Sequence, residues 1–158
     1  MMNRYAENTT VSSDKSRVEI ERTLARYGAQ QFVYGWEEGR ALIGFSMQER
    51  QVRFILEMPD RNDRQFTHTP ARGTERSPTQ AETEYDKAVR QRWRALALVV
   101  KAKLEAVESG ITEFEDEFLA HIVLPDGQTV GSFMRPQVEA AYIRGTIPRM
   151  LTLPEGTV

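Results

Sequence analysis

A chain of 158 residues without cysteine suits one domain with its own core, and it excludes disulfides, thiolate metal sites and cysteine nucleophiles. Hydrophobic residues make up 40% and charged residues 28%, yet no apolar run approaches the ~20 residues of a membrane span. The formal net charge of −2 excludes coating of nucleic acid through bulk charge, so any such contact must be local.

The opening MMNRYAENTT has no hydrophobic signal region, which leads us to expect a cytoplasmic protein without membrane association. Residues 1–11 are polar and read as a flexible arm, with Tyr5 and Val11 available to pin it to a neighbour. A single α+β domain is expected over 12–150, followed by a tail at 151–158. Ser16 followed by Glu19 has capping-box spacing, Ile20, Leu24 and Tyr27 share one side at helical period, and Gly28 can end the run. A first helix is therefore expected over 14–27.

Three strand-like segments follow, at 31–36, 41–47 and 51–58, rich in aromatic and β-branched residues. Glu37, Glu38 and Gly39 mark one turn, and Gln48, Glu49 and Arg50 the next. Links this short join antiparallel neighbours. The expected fold is α+β: a three-stranded antiparallel β-meander packed against the N-terminal helix and a long central helix, with a C-terminal helical segment. Pro59 closes the third strand, and a long loop at about 59–80 carries Arg61, Arg64, Arg72 and Arg76 with Phe66 and His68. Its acids Asp60, Asp63 and Glu75 offset most of that charge. A solvated linker and a functional loop both fit.

The central helix, expected from Glu82 to Gly110, dominates the chain. Tyr85, Val89, Trp93, Leu96, Val100, Leu104 and Val107 fall along one side at 3.6-residue period, a core face. Between Lys87 and Leu104 there are six basic residues and no acidic one. Lys87, Arg90, Arg94 and Lys101 lie within roughly 60° of one another on the far side and form a basic ridge. Leu98 sits in its midst, a signal that a protein neighbour covers part of that face. A shorter helix is expected over Thr112–His121, capped by Thr112 with Glu115 at the capping-box position, and it contains the acidic EFEDE of 113–117. A Pro-Asp-Gly turn follows at 125–127. Pro136 is placed to open a last helix that Gly145 ends, and Pro148 and Pro154 make the tail irregular.

Enzyme signatures are weak. Glu117 and His121, one turn apart, can share a metal, but no further ligand set accompanies them, and an end-of-helix histidine also serves simply as a charge near the helix dipole. Glu115, Asp116 and Glu117 point in different directions on a helix and make no compact cage, so no metal is assigned. No phosphate-binding loop, dinucleotide fingerprint or nucleophile elbow is present, so no cofactor or catalytic residue is implied. Nucleic-acid binding rests on more: the basic ridge can track phosphates, and Tyr34, Trp36 and Phe66 can stack on bases. A Lys/Arg stripe opposite an apolar stripe is also what an ordinary surface helix shows.

Residues 90–130 (RQRWRALALVVKAKLEAVESGITEFEDEFLAHIVLPDGQTV), with DKSRVEIERTLARYGA at 14–29 and YGWEEGRALIGF at 34–45, resemble a family of uncharacterised proteins of phages, prophages and their bacterial hosts. The resemblance implies a phage-related origin and supplies no catalytic residue. The order of helix, three-stranded meander and long basic helix is also similar to the core of single-strand annealing proteins, many of them phage-encoded, which form rings and bind DNA along a basic groove. That similarity implies a homo-oligomer with single-stranded DNA as the favoured partner. The contacts would fall to Arg90, Arg92, Arg94, Lys101 and Lys103, with Arg50 and Arg53 on the sheet. The first expectation is thus a non-enzymatic nucleic-acid binder; the competing one, from Leu98, the acidic segment and the near-neutral net charge, is a protein-interaction module, an inhibitor or accessory factor, that binds a host or phage protein. The element order also resembles the double-stranded-RNA-binding domain, from which the long loop and the absent basic helix start set it apart.

Overall fold

In the computed structural model, residues 4–37 and 39–146 are described, with side chains described from Asp14 onward. In chain order the elements are α1 (Arg4–Arg26), β1 (Gln30–Glu37), β2 (Arg40–Met47), β3 (Arg50–Glu57), α2 (Arg64–Thr67), α3 (Pro78–Glu108), α4 (Phe114–Glu117), a 3₁₀ turn (Leu119–His121) and α5 (Val130–Arg144). The class is α+β. The three strands form the expected antiparallel meander in the order β1-β2-β3. Two-residue links impose the twist: Gly39 has φ 79° in the first, and Gln48 and Glu49 have φ 48° and 62° in the second. In the second link both central residues are in the left-handed region, the turn geometry that matches the right-handed twist of the strands.

Alternation along β2 builds the sheet side of the core. Ala41, Ile43, Phe45 and Met47 are buried, joined from β3 by Val52 and Phe54. Against this face lie Ile20 and Leu24 of α1 and Val89, Trp93, Leu96, Val100 and Leu104 of α3. Each such side chain contributes about 1.5–3 kcal/mol when fully buried. The two helices run parallel: the Arg17 guanidinium lies 4.5 Å from the Tyr34 ring centroid, Tyr34 meets Trp93, and ten residues on Tyr27 bonds Glu105. No helix among the described residues is long and apolar enough to cross a membrane.

The open end of this sandwich is closed by residues 114–123, which the sequence showed only as an acidic helix. Phe118 is fully buried, with its ring centroid 5.9 Å from Phe45, 6.3 Å from Phe54 and 5.1 Å from Phe114. The Val123 amide then donates to the Gln51 carbonyl (2.8 Å), beside a bridge between Val52 and Ile122, so this segment also covers the outer edge of β3.

Several boundaries differ from expectation. α1 begins at Arg4 rather than at residue 14, because no Gly or Pro interrupts 4–26; Ser16 and Glu19 lie inside it, and residues 4–11 of the expected arm belong to the helix. The side chains of Tyr5 and Val11 lie outside the described ones, as does the tail with Pro148 and Pro154. The 59–80 loop is folded. Asp63 caps α2 by accepting from the Gln65 amide (3.0 Å), His68 bridges Glu75, and Arg76 donates to the carbonyls of Gln65 and Phe66. The expected 112–121 helix is instead α4 followed by a 3₁₀ turn, with no side-chain cap from Thr112. Pro136 is interior to α5, whose start is capped by Thr129 (Oγ1 to the Ser132 amide, 3.1 Å), while Gly145 ends it as expected with φ 67°. A Cβ at Gly131 would lie 2.9 Å from the Ala120 carbonyl oxygen, so glycine is what lets the start of α5 pack so closely against the 3₁₀ turn.

Candidate nucleic-acid interface

Local signals at both ends set the length of α3. Ser77 Oγ accepts from the Gln80 amide (3.3 Å) while Gln80 Oε1 accepts from the Ser77 amide (3.2 Å), and Pro78 opens the helix, four residues before the expected start. At the far end Gly110 has φ 78°. Its amide donates to Val107 and that of Ile111 to Ala106, a Schellman stop. No Gly or Pro interrupts the 31 residues between, which span roughly 46 Å.

The expected core face is the observed one: Val89, Trp93, Leu96, Val100 and Leu104 are buried, with Tyr85 and Val107 partly so. The basic residues divide. Arg90, Arg92, Arg94 and Lys101 make no ion pair among the described residues, whereas Lys87 bonds Glu84 (3.1 Å). Lys103 is turned away from the ridge. Its ammonium donates to the carboxylate (3.2 Å) and backbone carbonyl (3.1 Å) of Glu117 and lies 5.8 Å from the Phe118 ring centroid, a clasp holding the closing segment to α3. Arg92, the other expected contact off the ridge, lies at about 160° from Arg94 around the helix. On β3, Arg50 pairs with Glu115 (3.1 Å) and Arg53 donates to the Gly127 carbonyl (2.9 Å). The sheet arginines and Lys103 are thus tied into the fold and do not continue the ridge.

In their place the structure brings α1 beside it. Lys15, Arg22 and Arg26 line an open groove with Lys101, shared with Asp14 and Glu19. None of these four bases makes an ion pair among the described residues, while Arg17 is held by Asp14 (3.1 Å). The i,i+4 spacing of Arg22 and Arg26 was legible in the sequence, but only the packing of α1 against α3 sets them next to Lys101.

The stacking candidates also divide. Phe66 is 4% exposed and packs edge-on against Tyr85 (5.5 Å), because α2 turns it inward, so it is unavailable to a base. Tyr34 is held between Arg17 and Trp93. Trp36, 73% exposed, keeps an open ring face. Leu98 is 65% exposed and adjoins exposed Val99, so no neighbour within the described chain covers the apolar point of the ridge.

Glu117 and His121, considered as a metal pair, serve different partners. Glu117 holds Lys103, and His121 stacks on Phe54 with ring centroids 4.1 Å apart. Burial lowers the His121 pKa, helped by the nearby Lys103 charge and opposed by a hydrogen bond with the Arg53 backbone. Among the described residues no three His, Asp or Glu side chains converge on a metal-sized site. No family model, curated protein or solved structure matches the chain.

Proposed function

We propose that the protein is a non-enzymatic, cytoplasmic nucleic-acid-binding protein of phage type, with single-stranded DNA as its favoured partner. The observation that carries this reading is the set of bases without ion pairs among the described residues, on two helices packed side by side: Arg90, Arg94 and Lys101 on α3, and Lys15, Arg22 and Arg26 on α1. From Arg90 to Lys101 the ridge rises about 16 Å, room for several phosphates of one strand at ~3.4 Å each. Trp36, with its open ring face, favours unpaired bases over a duplex. The resemblance of the sequence to phage proteins points the same way.

The test is fluorescence anisotropy of a labelled single-stranded oligonucleotide across a salt series. Replacing both Arg94 and Lys101 with Ala lowers the slope of log affinity against log salt by about 1.4, at ~0.7 per lost phosphate contact. Arg92→Ala, on the opposite side of α3, leaves the slope unchanged. Absence of binding at low salt, or an equal loss in Arg92→Ala, overturns the proposal.

A second reading has its own observation. Leu98, exposed within the ridge, and exposed Val99 beside it suit a host or phage protein rather than phosphate. A stoichiometric partner recovered from host lysate after nuclease treatment, and lost in Leu98→Asp, favours it. Recovery of nucleic acid alone counts against it.

A further inference from the structure

The sheet has two outer edges, and they are treated differently. That of β3 is covered by residues 122–123. That of β1 carries no further strand among the described residues. β1 carries few of the features that blunt an exposed edge: Gln30 to Trp36 reads QQFVYGW, without a charged residue or proline, the strand's one charge is Glu37 at its end, and both Val33 (63%) and Trp36 are largely exposed. Its irregular register lies between Gln30 and Val33, which leaves Val33 to Glu37 as regular strand.

The hydrogen bonding of this edge determines what can occupy it. The two-residue link closes on the pair Glu37 and Arg40, and bonding direction alternates along an antiparallel ladder. Glu37, Gly35 and Val33 therefore turn their N–H and C=O toward β2, while Tyr34 and Trp36 turn theirs outward. Only another extended strand satisfies such a row. We infer that the β1 edge is a self-association surface, on which β1 of a second copy adds antiparallel about a two-fold axis at Gly35 and makes a six-stranded sheet.

The sequence of β1 is self-complementary in that register. Tyr34 and Trp36, the two residues with outward-facing backbone groups, fall opposite Trp36 and Tyr34 of the second copy, so their N–H and C=O groups pair reciprocally. Both side chains lie on the helix side of the sheet, since they alternate with Val33 and Gly35. Two aromatic cross-strand pairs result, and they cover the otherwise exposed Trp36. Gly35 meets Gly35 at the axis, as a non-hydrogen-bonded pair about 4.5 Å apart between Cα atoms. A register shifted by one residue loses both the aromatic pairs and the outward bonding partners.

The absence of cysteine makes the register directly testable. Cα atoms ~4.5 Å apart are within disulfide range, ~4.4–6.8 Å. A Cβ at Gly35 meets nothing closer than Leu42 at 3.5 Å, so Gly35→Cys is accommodated in the strand. Under mild oxidant, in the absence of nucleic acid, Gly35→Cys is expected to become a disulfide-linked dimer at protein concentrations where Ala102→Cys, exposed on α3, stays monomeric. In sedimentation equilibrium the unmodified chain dimerises, and Trp36→Lys weakens that association at least about tenfold. Cross-linking of Gly35→Cys no faster than of Ala102→Cys, or a unmodified chain that stays monomeric at every concentration, overturns the inference. This surface is independent of the ridge. Because base stacking would use the same Trp36, the experiment excludes nucleic acid, and its failure leaves the nucleic-acid proposal standing.

Discussion

Replacing Lys103 with Met separates a structural base from a ligand-binding one. The ammonium makes two charged hydrogen bonds to Glu117, with the two side chains 23% and 27% exposed. A buried bond to a charged group contributes about 1.5–3 kcal/mol and an exposed ion pair about 0–1 kcal/mol. With both side chains about a quarter exposed, an intermediate loss of about 1–2 kcal/mol follows. In a domain of this size that lowers Tm by roughly 2–8 °C. Methionine keeps the aliphatic stem, so the loss reports the charge rather than a cavity. Thermal unfolding followed by circular dichroism measures it, and combination with Glu117→Gln is less than additive because both remove the same contacts. Two further readouts distinguish the roles. Since the Lys103 charge helps hold the His121 pKa down, Lys103→Met raises that pKa in an NMR titration. Affinity for single-stranded DNA and its salt slope are unchanged. An unaltered Tm together with a loss of DNA affinity equal to that of the Arg94 and Lys101 double variant refutes the assignment.

Phe118→Ala removes a fully buried ring that touches three other phenylalanines or their edges, and about 3–5 kcal/mol of stability goes with it; denaturant unfolding that shows a loss below about 1 kcal/mol is inconsistent with 114–123 closing the core. His121 governs an acid-side change. Its folded pKa lies below the ordinary value of 6.5, so the unfolded chain takes up the proton first; stability is full above about pH 6.5 and declines as pH falls from there through the folded pKa. His121→Phe, which retains a ring against Phe54, flattens the stability profile in that window. A profile that keeps its slope contradicts this account.

How far the sequence could be read depended on the range of each signal. The meander, the core face of α3 and the stops at Gly110 and Gly145 were legible because alternation, helical period and left-handed glycine are local properties of a few neighbouring residues. Breaker residues misled in both directions. Ser16 and Glu19 matched a capping box inside a helix that nothing interrupts. Pro136 looked like a beginning, yet α5 runs through it once Thr129 has capped the start. Half of the candidate site was legible as well, since the ridge from Arg90 to Lys101 follows from helix geometry.

The chain's own pattern therefore determined the class, the order of α1, the meander and α3, and which side of α3 is apolar. Only tertiary structure decided which charges are committed. Lys103, Arg50 and Arg53 were expected as DNA contacts until the segment of 114–127 came back to meet them, and Lys15, Arg22 and Arg26 became part of the groove only when α1 lay along α3. Phe66 looked like a loop aromatic until α2 turned it onto Tyr85. The physical reason is common to all of them: backbone conformation is set largely by neighbours in sequence, whereas burial and ion pairing join residues from distant parts of the chain.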